Sequence, residues 1–81
     1  MSPEQVQEAL FVLMNAAGVM FPVSAPFIAL AETVIDKLRK VGVETPPWQI
    51  ERLTAMQAGI AAAQASAVTR VLNKLRGKSN G

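Results

Sequence analysis

From position 9 to position 31 the chain reads ALFVLMNAAGVMFPVSAPFIALA, without one charged residue. What this run can become sets the fold. A membrane-crossing helix needs about 20 consecutive apolar residues, so length alone would permit a span. The run contains Pro22 and Pro26, however. Each proline lacks an N–H and carries a ring that obstructs the preceding helical turn. Ser24 stands two residues before Pro26, where a hydroxyl can accept from the first unpaired N–H groups of a new helix. The expected outcome is the end of one helix, a connector and the start of another.

The same punctuation recurs along the chain. Ser2-Pro3-Glu4-Gln5 combines a capping hydroxyl, a proline at the first helical position and a glutamine three residues after the cap, the arrangement of a capping box. It predicts a helix over about 3–17, with Gly18 as a left-handed stop. Ser24-Ala25-Pro26 opens a second helix over about 25–41, which carries Lys37, Arg39 and Lys40 against the negative end of its dipole and stops at Gly42. Thr45-Pro46-Pro47-Trp48 opens a third over about 46–76, stopping at Gly77, and residues 78–81 form a flexible tail. No period-2 alternation persists. The expected fold is therefore all-α, one domain over 1–77 with two short helices and one long helix. At about 1.5 Å per residue the short helices span roughly 22–24 Å and the long one roughly 46 Å.

A turn of 100° per residue assigns faces. The second helix collects Phe27, Leu30, Ala31, Val34, Leu38 and Val41 on one side and Glu32, Thr33, Asp36, Lys37 and Lys40 on the other. The first aligns Glu4, Glu8 and Asn15 as a polar stripe, with Val6, Ala9, Leu10, Leu13, Met14 and Ala17 facing away. Both read as amphipathic surface helices. Between them, Val19, Met20, Phe21 and Val23 fall in the connector, although loops are normally polar. They serve either as a plug for the end of the core, Phe21 above all, or as a docking knob.

Positions 53–69 form a second charge-free run, LTAMQAGIAAAQASAVT. A helix uncharged all round is usually buried all round. Ile50, Leu53, Met56, Ile60, Ala63, Ala67, Val68, Val71 and Leu75 suit the domain's own core, while Ala55, Ala58, Gly59, Ala62, Ala65 and Ser66 make a smooth back on which another helix can lie. Ala55, Gly59, Ala63 and Ala67 also repeat every four residues, a ridge found in closely packed helix pairs. Ala55, Gly59, Ala62 and Ser66, with Val19, Met20, Phe21 and Val23, are thus the candidate interface. Gln57 and Gln64 lie seven apart near the apolar face and are candidates for a polar pair that fixes helix register.

The inventory excludes most chemistry. There is no Cys and no His, which removes disulfides, the common zinc ligands and the usual base for a serine or threonine nucleophile. The i, i+4 carboxylate pairs Glu4/Glu8 and Glu32/Asp36 have the spacing for a divalent ion, but they read more simply as solvated helix faces. No enzymatic activity, cofactor or metal is expected. Arg70, Lys74, Arg76 and Lys78 form a basic surface near the C-terminus. With a net charge of only +2 and no interleaved aromatic residues, that cluster speaks against nucleic acid as the partner.

Hydrophobic residues make up 51% of the 81 residues and charged ones 17%, against about 25% charged in typical soluble domains. So small a domain, lacking disulfides and metal, is expected to be stabilised by association. The expected function is a non-enzymatic helical interaction or structural module. It would self-associate or serve as a small subunit of a larger assembly, such as a virion component, with itself or another helical protein as partner. The N-terminal segment lacks a basic n-region, so no signal peptide is expected and a cytoplasmic or particle-associated location is favoured. The alternative is a membrane-active protein of holin-like hydropathy, with 9–31 and 53–69 as two insertable segments and the basic tail at the lipid surface.

Overall fold

The computed structural model describes residues 1–20 and 24–77, the side chains of 17–20 excepted. It is all-helical, but with four helices rather than three: α1 (Pro3–Met20), α2 (Ala25–Lys40), α3 (Pro47–Ala58) and α4 (Ala62–Leu75).

Local chemistry accounts for most of the boundaries. At the start of α1, Ser2 Oγ accepts from the Gln5 N–H at 3.2 Å and Gln5 Oε1 accepts from the Ser2 N–H at 2.8 Å, the two halves of a capping box. Ser24 caps α2 by accepting from the Phe27 N–H at 3.3 Å. Helix α2 ends in a Schellman arrangement, with Val43 N–H donating to the Leu38 carbonyl and Gly42 N–H to that of Arg39. Gly42 takes φ +82° there, and Gly77 takes φ +75° after α4; both conformations favour glycine. Gly18 is not a stop. It lies inside α1, which continues to Met20, because a helical glycine costs only about 1 kcal/mol. Val19 and Met20 are accordingly helical rather than part of a connector, while Phe21 and Val23 lie outside the described residues.

The long third helix is the main correction. It breaks at residues 59–61 into α3 and α4. Gly59 closes α3 with its N–H bonded to the Met56 carbonyl at 3.0 Å, and Ala61 turns the chain with φ −59° and ψ 147°. Arg76 Nη2 then reaches Thr54 Oγ1 at 2.8 Å, and Gln57 Nε2 reaches the Ala65 carbonyl at 2.8 Å. Helix α4 therefore doubles back along α3. A straight helix would have left the middle of 53–69 without a core to face. The hairpin instead buries Leu53, Val68, Val71 and Leu72 completely, which outweighs the few residues removed from helix.

Two antiparallel hairpins result, α1–α2 and α3–α4. They are laid together so that α1 runs parallel to α3 and α2 runs parallel to α4. On one side the Gln7 amide donates to Gln49 Oε1, and Phe11 meets Trp48 edge to face at 5.3 Å between centroids. On the other, Arg70 pairs with Glu32 at 2.6 Å, Lys74 pairs with Asp36 at 2.9 Å, and Arg39 Nη2 donates to the Leu75 carbonyl at 2.8 Å. Helices α1 and α4 touch across the centre, whereas among the described residues α2 and α3 do not pack. The core between them is Met14, Ile28, Ala31, Ile35, Leu53, Val68, Val71 and Leu72.

The buried faces differ from those the wheel assigned. Helix α2 buries Ile28, Ala31, Ile35 and Leu38, while Leu30 and Val41 stay 61% and 63% exposed. That is a rotation of about 70° at 100° per residue, and it brings Glu32 and Asp36 to the cations of α4. Helix α1 buries Gln7 and Met14 and leaves Leu13 54% exposed. No helix among the described residues is long and apolar enough to cross a membrane, and 53–69 is two helices rather than one insertable segment.

Candidate functional site

The rotation of α1 and α2 toward the other hairpin leaves their remaining apolar sides uncovered. Helix α1 turns Gln7 and Met14 to the interior and presents Val6, Leu10 and Leu13 along its flank, at spacings of four and three. Helix α2 turns Ile28 and Ile35 inward and presents Phe27, Leu30 and Val34, at spacings of three and four. Because the helices are antiparallel, Leu13 stands near Phe27 and Leu30, and Val6 near Val34. The result is an open groove about 160 Å³ in volume, floored by Ala9 and Ala31. Its rims are Leu13 and Leu30, both more than half exposed.

The groove continues toward the C-terminal end of α2 into a second hollow of about 270 Å³. Met1, Val6 and Val34 are common to both, and Pro3, Lys37, Leu38 and Val41 complete the second hollow. Lys37 is the one charged side chain among the residues that line either part. It is exposed and has no ion-pair partner among the described residues.

Helical periodicity alone does not show this site when each apolar face is assigned to one core. A signal was present. In α2 the apolar residues from Leu30 round to Ile28 sweep an arc of about 160° at 100° per residue, wider than the roughly 100° stripe that one packing surface uses.

Of the interface residues proposed from sequence, the side chains of Val19, Met20, Phe21 and Val23 lie outside the described residues, and Ala55 and Gly59 belong to α3 and its cap whereas Ala62 and Ser66 belong to α4. Ala55 and Gly59 line a wide, open hollow of about 690 Å³ with Asn15, Arg52, Met56 and Gln64. Ala62 and Ser66 are exposed beyond the break, on α4. The ridge Ala55, Gly59, Ala63, Ala67 is split between two helices. A Cβ on Gly59 would meet only the Met56 carbonyl oxygen, at 3.7 Å, so no other part of the fold presses against this glycine. Gln57 and Gln64 do not form one heptad stripe either, since they belong to different helices. Gln57 donates to the Ala65 carbonyl and also reaches Thr69 Oγ1, tying the two arms of the hairpin. Gln64 is half-buried beside the wide hollow.

The basic residues are dispersed as well. Arg70 and Lys74 are held by the α2 carboxylates and Arg76 bonds Thr54, while Lys78 lies outside the described residues. The Glu32/Asp36 pair is thereby engaged by cations, and the described residues contain no group of three or more acidic, His or Cys side chains placed to hold a metal ion.

No family model, curated protein or solved structure matches this chain. The functional reading therefore rests on the groove and its chemistry.

Proposed function

We propose that the protein is a non-enzymatic helical interaction module, a small subunit of a larger assembly, and that the α1–α2 groove is its principal contact. One observation carries this reading: of the six large apolar side chains more than half exposed among the described residues, Met1, Leu13, Leu30 and Val41 line one open groove, while Val12 and Trp48 lie outside it. Leu13 and Leu30 flank it, 54% and 61% exposed, and Val41 extends it at 63%. Scattered exposed leucines are ordinary on a monomer, but a contiguous apolar strip on a chain with so few charges is characteristic of a surface that another chain covers.

The experiment is native size-exclusion of the protein in a lysate of its source cells. It should elute well above its own 8.6 kDa. Leu13→Asp and Leu30→Asp should return it to the free position while leaving its helical circular dichroism unchanged, because both positions are on the surface. Elution of the unmodified protein as a free monomer would refute the reading.

A further inference from the structure

We infer that the occupant of the α1–α2 groove is one amphipathic helix of a different protein, about four turns long, with an acidic residue seated against Lys37. The inference rests on the proposed function and names the partner that function requires.

Shape comes first. The groove follows α2, whose 16 residues give a length of about 24 Å at 1.5 Å per residue. From the level of Leu13 and Phe27 to that of Val6 and Val34 is seven residues along each helix, about 10 Å. A docked helix reaches the same two levels with side chains at i and i+7, filling between them with i+3 or i+4, which is how amphipathic helices engage apolar grooves. A small apolar molecule fits less well. The groove is an open trough whose rims, Leu13 and Leu30, are more than half exposed, whereas a ligand cleft buries most of a small molecule's surface.

Charge then separates a foreign helix from a second copy. A two-fold dimer sets the same face against itself, so each Lys37 would enter a contact whose lining holds no carboxylate. The chain has six Asp and Glu side chains, and none of them lines the groove. Glu32 and Asp36 are paired with Arg70 and Lys74. Glu4 and Glu8 lie about 140–180° round α1 from Val6 and Leu13 at 100° per residue. Glu44 sits beside Arg39 and Leu75, toward α4, and Glu51 is on α3, which does not pack on α2. Self-docking would take a lysine partly out of water with no counter-charge, an uncompensated desolvation. A partner that brings its own carboxylate to this end of the groove removes that cost and fixes which way the helix lies.

The test is a displayed library of helices about four turns long, with the apolar stripe fixed and the terminal positions randomised, selected against the purified protein. Recovered binders should carry Asp or Glu at the position level with Lys37. Selection against Lys37→Glu should turn that position to Lys or Arg, and Leu30→Asp should recover none. Replacing the selected acid by lysine in a synthetic binder should weaken it about fivefold or more, the upper range for a pair at the rim of an interface. Failure to recover binders, or binders indifferent to charge at that position, would overturn the inference. So would an isolated protein that sediments as a dimer and is made monomeric by Leu30→Asp. That last result would leave the interaction-module reading standing and assign the groove to a second copy.

Discussion

Gln7 and Gln49 are the buried polar residues of the core region, 7% and 4% exposed, and each is the other's partner. Their amides join α1 to α3. A buried amide is stable only while its hydrogen bond is made, so the pair is worth little as a pair and much as two halves. Gln49→Ala should therefore lose about 1–3 kcal/mol by leaving the Gln7 amide without its partner. The double replacement Gln7→Leu with Gln49→Leu should fall within about 1 kcal/mol of the unmodified protein, since removing both partners can be nearly neutral. Urea unfolding of the two variants and the unmodified protein measures both differences. Equal losses in the single and double variants would show that the amides contribute through packing alone.

At the scale of elements, two glycines that look alike in sequence do different things. Gly42 holds φ +82° in the Schellman turn that ends α2. Gly59 closes α3 at φ −103°, where any residue can sit, and a Cβ there meets nothing closer than 3.7 Å. Gly42→Ala should lose about 1 kcal/mol through left-handed strain, despite the open space around it. Gly59→Ala should gain about 0.4–1 kcal/mol by restricting the unfolded chain. Chemical denaturation gives the two signs. A loss at Gly59 comparable to that at Gly42 would mean that the α3–α4 turn requires glycine itself. The break between these helices is set by burial on α4 rather than by strain at Gly59, which is why a weak helix former suffices there.

The whole molecule is two helical hairpins joined by the link 41–46, with one side of the first hairpin left uncovered. A partner helix in that groove binds the folded state and not the unfolded one, so it must raise stability by mass action, about 2.7 kcal/mol at a concentration one hundred times its Kd. In a domain of this size that corresponds to a rise in Tm of about 10–20 °C. The isolated protein, by contrast, should melt at a temperature independent of its own concentration. Differential scanning calorimetry across a hundredfold dilution checks the second expectation, and the same scan with a selected helix added checks the first. A Tm that climbs with protein concentration alone would point to self-association instead.

The starts of α1 and α2 and the stops after α2 and α4 were legible in the residues themselves. The hydroxyl caps of Ser2 and Ser24 and the left-handed glycines 42 and 77 act through bonds that span three to five residues, so the identities of near neighbours determine them. The absence of a strand pattern was legible for the same reason, since it is a property of local order. The chain's own pattern did not determine that 46–76 would fold back on itself at Gly59, or that Ile28 and Ile35 rather than Leu30 and Val41 would enter the core. Nor did it determine which apolar faces would remain bare. Those outcomes were settled by competition among apolar surfaces for the same interior. Helix α4 offered α2 both an apolar face and two cations for Glu32 and Asp36, and α2 turned toward it. The Leu13, Leu30 and Val34 groove is what that choice left open, and only the tertiary structure could show it, because each of these residues is as hydrophobic as the ones that were buried.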